Sequence, residues 1–150
     1  MPSGSRSEEG IASGRKAASG RFGESGSIII VVATDAPLLP HQLERLARRA
    51  SLGLGRMGSH AGNGSGDIFV AFSTGNTGAA AELNTASFVG NDHIDPLFAA
   101  TVQATEEAIV NAMVAARDMT GHEDRYAKAI DHAALVALLK QYQRHEAPTR

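Results

Sequence analysis

Apolar and polar positions divide the chain into a few regular elements. Ser27-Ile-Ile-Ile-Val-Val-Ala-Thr34 is an unbroken β-branched run ended by Asp35, Pro37 and Pro40, which predicts a strand buried on both faces. From His41 to Arg56, Leu43, Leu46, Ala47, Ala50 and Leu54 recur at helical spacing. Arg45, Arg48 and Arg49 fall off that stripe, so the segment predicts an amphipathic helix with a solvated basic face. Gly53 to Gly66 reads as a glycine-rich loop, and Asp67-Ile-Phe-Val-Ala-Phe-Ser-Thr74 as a second, mostly apolar strand. The small-residue stretch Gly75 to Val89 carries no periodicity. Asp95 is placed as an N-cap with Pro96 at the first helical position. The stripe Phe98, Thr101, Val102, Thr105, Ile109, Ala112, Met113 and Ala116 then carries a long helix towards Gly121. Asp131 can cap a shorter helix that has Ala134, Leu135, Leu138, Leu139 and Tyr142 on one side.

Two doubly buried strands demand cover on both faces and neighbours along both edges. The chain supplies too few strands for that. The pattern therefore points to part of a larger sheet-on-sheet structure with helices outside, or to completion by association. Exposed sheet edges make a homo-oligomer the expected state.

Residues 1–26 stand apart, with six glycines and six serines, a composition that buries too little apolar surface to offset chain entropy. The expected organisation is a flexible tail or linker at 1–26, one domain at 27–145 and a polar tail at 146–150. The tail has no apolar h-region, and Glu8, Glu9 and Glu24 argue against a transit peptide, so the cytoplasm is the expected compartment.

Composition narrows the function classes. The 150 residues are 43% apolar and 20% charged, with no apolar run near the length of a spanning helix, so no membrane partner is expected. Fourteen basic and sixteen acidic side chains give a formal charge of −2, and aromatics are 5% with no Trp, which offers neither a phosphate-binding footprint nor a base-stacking platform. No nucleic-acid partner is expected. The absence of Cys excludes disulfides, thiolate metal sites and a Cys nucleophile.

Several motifs have plain structural readings. Gly53-Leu-Gly-Arg-Met-Gly58 spells a dinucleotide fingerprint, yet it follows a helix and precedes a strand, the reverse of the required context. The six histidines never fall in a metal-binding spacing, so neither metal nor cofactor is expected. Glu106 and Glu107 lie off the apolar stripe of their helix and read as solvated charges.

Ser27 is different, because it sits after Gly26 where a tail meets a strand. A serine there is ordinarily a turn residue. The alternative is that the Gly26-Ser27 bond is cut, making Ser27 an N-terminal nucleophile whose own α-amine, with a pKa of about 7.7–8.0, serves as general base. Glycine before the serine permits the backbone strain that self-cleavage needs. Downstream, Ser65 and Asp67 are two apart in Gly62-Asn-Gly-Ser-Gly-Asp67 and share a face if the segment is extended. Read locally, that block is ordinarily a turn entering a strand.

The run Gly26-Ser-Ile-Ile-Ile-Val-Val-Ala-Thr-Asp-Ala-Pro-Leu-Leu-Pro-His-Gln-Leu43 resembles the start of the small subunit of the DmpA/BapA-type aminopeptidases, the β-aminopeptidases and L-aminopeptidase/D-esterases. The resemblance continues through Leu46-Ala-Arg-Arg-Ala50, the Gly62–Asp67 block, Phe72-Ser-Thr74, Asp95-Pro-Leu-Phe-Ala99 and Ala104-Thr-Glu-Glu-Ala-Ile-Val-Asn-Ala-Met113. It implies an α+β fold, part of an αββα sandwich of the N-terminal-nucleophile-hydrolase kind, built here as strand-helix-strand-helix-helix. It also implies a precursor that cleaves itself before a serine. By position, Ser27 matches the nucleophile, Ser65 the second serine, and Asp67 an acidic residue that is Glu in some members.

The same resemblance implies a serine aminopeptidase or amidase that acts on small peptides, amides or esters with β-amino, D- or L-amino N-terminal residues through an acyl-enzyme. In that family a long segment ahead of the cleavage point supplies pocket walls and an oxyanion donor, whereas residues 1–26 do not resemble it. A large-subunit-like chain is therefore an expected partner. The alternative is a non-catalytic remnant or assembly module.

Overall fold

The computed structural model describes residues 26–83 and 85–144. The expected tails fall largely outside them: residues 1–25 and 145–150 are not described. In chain order the elements are β1 (Ile29–Thr34), α1 (Pro40–Arg56), β2 (Ile68–Ser73), α2 (Asp95–Ala115), β3 (Met119–Thr120), β4 (Tyr126–Ala127) and α3 (His132–Gln141), with single 3₁₀ turns at Asn91–His93 and His122–Asp124. β1 and β2 pair in parallel, Ile29 opposite Ile68 through Thr34 opposite Ser73, and α1 makes the crossover between them. β3 and β4 form a separate antiparallel pair.

α1 begins where proline fits best, with Pro40 in its first turn. The Gln42 side chain, 3% exposed, accepts from the Leu39 amide at 3.0 Å and donates to the Val89 carbonyl at 2.7 Å. One buried amide thus both starts the helix and anchors the far end of the 75–89 connection. Asn76 closes the same connection, its side chain pairing with both the amide and the carbonyl of Ser87.

The core lies between α1, α2 and one face of the sheet, where Leu38, Leu46, Ile94 and Phe98 cluster with Val32, Leu43, Ala71 and Val89 against them. α1 and α2 pack closely at Gly53. A Cβ there would lie 2.7 Å from both the Thr105 Cβ and the Val102 carbonyl. The glycine of the spurious dinucleotide fingerprint is thus a helix-packing glycine, and α1 extends to Arg56 through part of the expected loop. The buried hydroxyls of Thr101 and Thr105 donate to the carbonyls of Leu97 and Thr101, each at 2.8 Å, which satisfies them within the helix.

Four expectations change. Neither strand is buried on both faces: exposure alternates along each, with Ile29, Val31 and Ala33 of β1 facing outward beside Ile68, Val70 and Phe72 of β2. The continuous apolar run is real, but the layer that would cover this face is not among the described residues. Likewise α2 buries only Phe98, Thr101, Val102 and Thr105 and stops at Ala115, leaving Met113 exposed and Ile109 half-buried. Asp95 lies in the first turn of α2, not at its N-cap, which is Ile94. α3 forms as expected, the Asp131 carboxylate accepting from the Ala134 amide at 3.0 Å. The basic face of α1 is less free than expected, with Arg49 stacked 3.9 Å from the Phe98 ring centroid and Arg56 paired with Glu106 at 2.7 Å.

Candidate active site

The N-terminal ends of the two parallel strands carry the candidate residues. β1 and β2 run side by side, so the residues entering them, 27–28 and 66–68, meet although 39 or 40 positions separate each pair. Three hydrogen bonds tie them. The Gly66 amide donates to Ser27 Oγ at 2.9 Å, the Ile28 amide donates to Asp67 Oδ1 at 3.1 Å, and the Ile68 amide donates to the Ile28 carbonyl at 3.0 Å. The last is an ordinary extension of the parallel ladder. In the second, the Asp67 carboxylate takes the place of a main-chain acceptor and fixes the Ser27–Ile28 peptide.

Gly66 approaches Ser27 closely. A Cβ at that position would sit 3.2 Å from Ser27 Oγ, tighter than most side-chain contacts allow. Sequence reasoning singled out Ser65 and Asp67 and passed over the glycine between them. Its signal was available: a glycine alternating with two polar residues at the mouth of a strand marks a backbone amide free to contact a neighbour.

Ser65, Asp67 and Phe69 all line one open cavity of about 450 Å³, together with Leu54, Gly55 and His60. The alternation places Ser65 and Asp67 on the same side of the chain. Ser65 Oγ is buried and has no hydrogen-bond partner among the described residues. A buried hydroxyl without a partner is costly and awaits a donor or acceptor that this part of the chain does not provide. Ser27 itself is exposed, and Asp67 is half-buried.

Chemically, an N–H aimed at Ser27 Oγ favours negative charge on that oxygen. The site has a hydroxyl reachable from solvent, an amide donor on it, a carboxylate holding the adjoining peptide and an unpartnered hydroxyl at the wall of a cavity. The other residues weighed in the sequence lie elsewhere: Glu106 is occupied by Arg56, and Glu107 is exposed on α2. Among the described residues no group of three or more His, Asp or Glu side chains could hold a metal ion, and no helix is long and apolar enough to cross a membrane.

The sequence matches Peptidase family S58 over residues 3–127, which runs across the Gly26–Ser27 bond and takes in residues 3–26, against the expectation that this stretch does not resemble the family. The chain belongs to peptidase family S58. This S58 chain is 52% identical over 122 residues to the β-peptidyl aminopeptidase BapA of Sphingosinicella microcystinivorans and 45% identical over 125 residues to that of Sphingosinicella xenopeptidilytica. The two alignments take in 79% and 81% of the S58 chain but only 31% of either relative. Among solved structures it is similar to the L-aminopeptidase D-Ala-esterase/amidase of Ochrobactrum anthropi, described as a prototype serine aminopeptidase and a variant of the Ntn hydrolase fold. That similarity has 51% identity and a TM-score of 0.70, over 79% of the S58 chain and 34% of the other. A Burkholderia sp. β-aminopeptidase matches with 45% identity and a TM-score of 0.68, over 78% of the S58 chain and 35% of its own length. The S58 chain is therefore an α+β part of an Ntn-hydrolase fold and spans about a third of the length of these relatives.

Proposed function

We propose that this chain is the serine-bearing part of a self-processing aminopeptidase in which Ser27, once the Gly26–Ser27 bond is cut, acts as an N-terminal nucleophile. The observation that carries the reading is the hydrogen bond from the Gly66 amide to Ser27 Oγ, set beside the carboxylate clamp of Asp67 on Ile28. Relatives named as aminopeptidases, and a family match continuous across the bond, support it.

Processing begins with Ser27 Oγ attacking the Gly26 carbonyl carbon. The C–N bond to Ser27 breaks as the ester forms, the amine takes the proton, and water hydrolyses the ester to release the chain ending at Gly26. The freed α-amine then serves as general base. In turnover Oγ attacks the carbonyl of a substrate's N-terminal residue and gives its proton to the α-amine. That amine protonates the leaving amine or alcohol, and water then attacks the acyl-enzyme with the same amine as base. Gly66 holds Oγ, Asp67 fixes the peptide beside it, and Ser65 supplies a hydroxyl to keep the new amine in register. Suitable substrates are small peptides, amides or esters carrying a β-amino, D- or L-amino N-terminal residue.

The rest of the site comes from a large-subunit-like chain. Two surfaces ask for it. The outward face of β1 and β2 is a six-residue apolar patch, while parallel strands are normally covered on both sides. α2 also overhangs the edge of β1, its exposed Ala100, Ala104 and Ala108 lining open grooves beside residues 28–34. A further strand pairing with β1 would fill that space.

Ser27→Ala is the test. It is expected to abolish both cleavage at residue 26 and release of amine from β-alanyl and D-alanyl amides; retention of either contradicts the assignment. A chain that binds its partner but is neither cut nor active in the wild type would instead be the non-catalytic assembly module.

A further inference from the structure

The turn leading into Ser65 contains the dipeptide Asn63-Gly64. A hydrogen bond from the Ser65 amide to the Gly62 carbonyl at 2.8 Å closes it, and both central residues are exposed. Among the described residues neither the Asn63 side chain nor the Gly64 amide has a hydrogen-bond partner. The absence of a Cβ on Gly64 leaves its nitrogen open to approach the neighbouring side-chain carbonyl.

The other described asparagines are held. Asn76 is paired at both ends of its amide with Ser87 and is followed by β-branched Thr77. Asn91 accepts from Arg45 at 2.7 Å. Asn111 lies inside α2, where the following amide is part of the helix ladder.

We infer that Asn63 is a site of spontaneous covalent modification, deamidating through a succinimide with Gly64. The Gly64 nitrogen attacks Asn63 Cγ and ammonia leaves, closing a five-membered imide. Water opens the imide at either carbonyl. One opening gives aspartate at position 63, and the other gives isoaspartate, with the main chain rerouted through the former side chain and lengthened by one methylene. Both add a carboxylate. The lengthened form displaces the turn that delivers Gly66 to Ser27 Oγ and Asp67 to the Ile28 amide, so the site carries its own ageing lesion. The chemistry is independent of the catalytic reading; only its cost to processing and turnover rests on that reading.

The test ages the full-length protein at mildly alkaline pH and follows it by peptide mapping with isoaspartate detection, beside Asn63→Gln and a short peptide of the 61–68 sequence. The expected result is the mass gain of one amide-to-acid exchange, with isoaspartate at position 63, before any appears at 76, 91 or 111 and none at 63 in Asn63→Gln. Conversion at 63 no faster than at those positions, or an intact Asn63 after the peptide has fully converted, overturns the inference. In a parallel nuclear magnetic resonance series the Gly66 and Ile28 amide signals should move as wild type converts and stay fixed in Asn63→Gln. Unmoved signals in converted protein would overturn the claimed effect on the site, leaving the catalytic reading intact.

Discussion

The Asp67 carboxylate accepts a hydrogen bond from the Ile28 amide at 3.1 Å, joining residues 39 positions apart at the mouth of a parallel strand pair. A hydrogen bond to a charged group contributes about 1.5–3 kcal/mol, so Asp67→Ala should slow both cleavage at Gly26 and amide turnover by about 10- to 100-fold. Asp67→Asn keeps an acceptor and should recover part of the rate. Cleavage and steady-state kinetics on the three proteins check this; equal rates in Asp67→Ala and wild type would remove Asp67 from the site.

Gly53 sits where α1 crosses α2, with no room for a side chain beyond hydrogen. Gly53→Ala should destabilise the fold by about 1–3 kcal/mol through overpacking, despite alanine's better helix propensity. Denaturant unfolding measures it. An unchanged midpoint would mean that the helices separate easily at this point.

The outward sheet face should matter only when the large-subunit-like chain is present. Val70 is 46% exposed and Val31 60% exposed in this chain. Val70→Asp is therefore expected to leave the circular dichroism of the chain unchanged but to abolish co-purification with the proposed large-subunit-like chain, since the assembled state would bury an unpaired charge. Normal assembly would show that this face stays in solvent.

The β3–β4 pair should loosen in acid. The Tyr126 hydroxyl and, secondarily, the Ala129 amide donate to the Asp118 carboxylate and hold its pKa below the ordinary carboxyl value, while Asp118 raises that of Tyr126. A lowered folded-state pKa stabilises the pair at pH above the unfolded value. That contribution disappears as pH falls through the lowered folded value. The raised tyrosine acts in the opposite sense, its share being lost at alkaline pH as Tyr126 ionises. The Ala129 amide and Tyr126 ring resonances should therefore titrate together at the acid end, and Asp118→Asn should remove that step.

How far the sequence could be read depended on whether the forces were local. β1, α1, β2, the body of α2 and α3 follow from apolar spacing and from residues such as Pro40 and Asp131, whose effects act within one turn. The short β3–β4 pair escaped because two-residue strands have no periodicity, and it is held by Asp118 reaching Tyr126 and Ala129. Burial of the strands was overestimated for a related reason: a continuous β-branched run suits cover on both faces, whereas the described residues supply only the helical side. In the candidate site, Ser27, Ser65 and Asp67 were legible as residue types and through the family resemblance. The contact on Ser27, a glycine amide on its hydroxyl, depends on parallel strand register and has no side chain to announce it.

The most direct test of the central claim is the amino-terminal residue and intact mass of the purified protein. The expected result is a chain that begins at Ser27, with its companion ending at Gly26. A preparation that releases amine from aminoacyl amides while the Gly26–Ser27 bond remains uncut would contradict it, because Ser27 would then have no free α-amine with which to work.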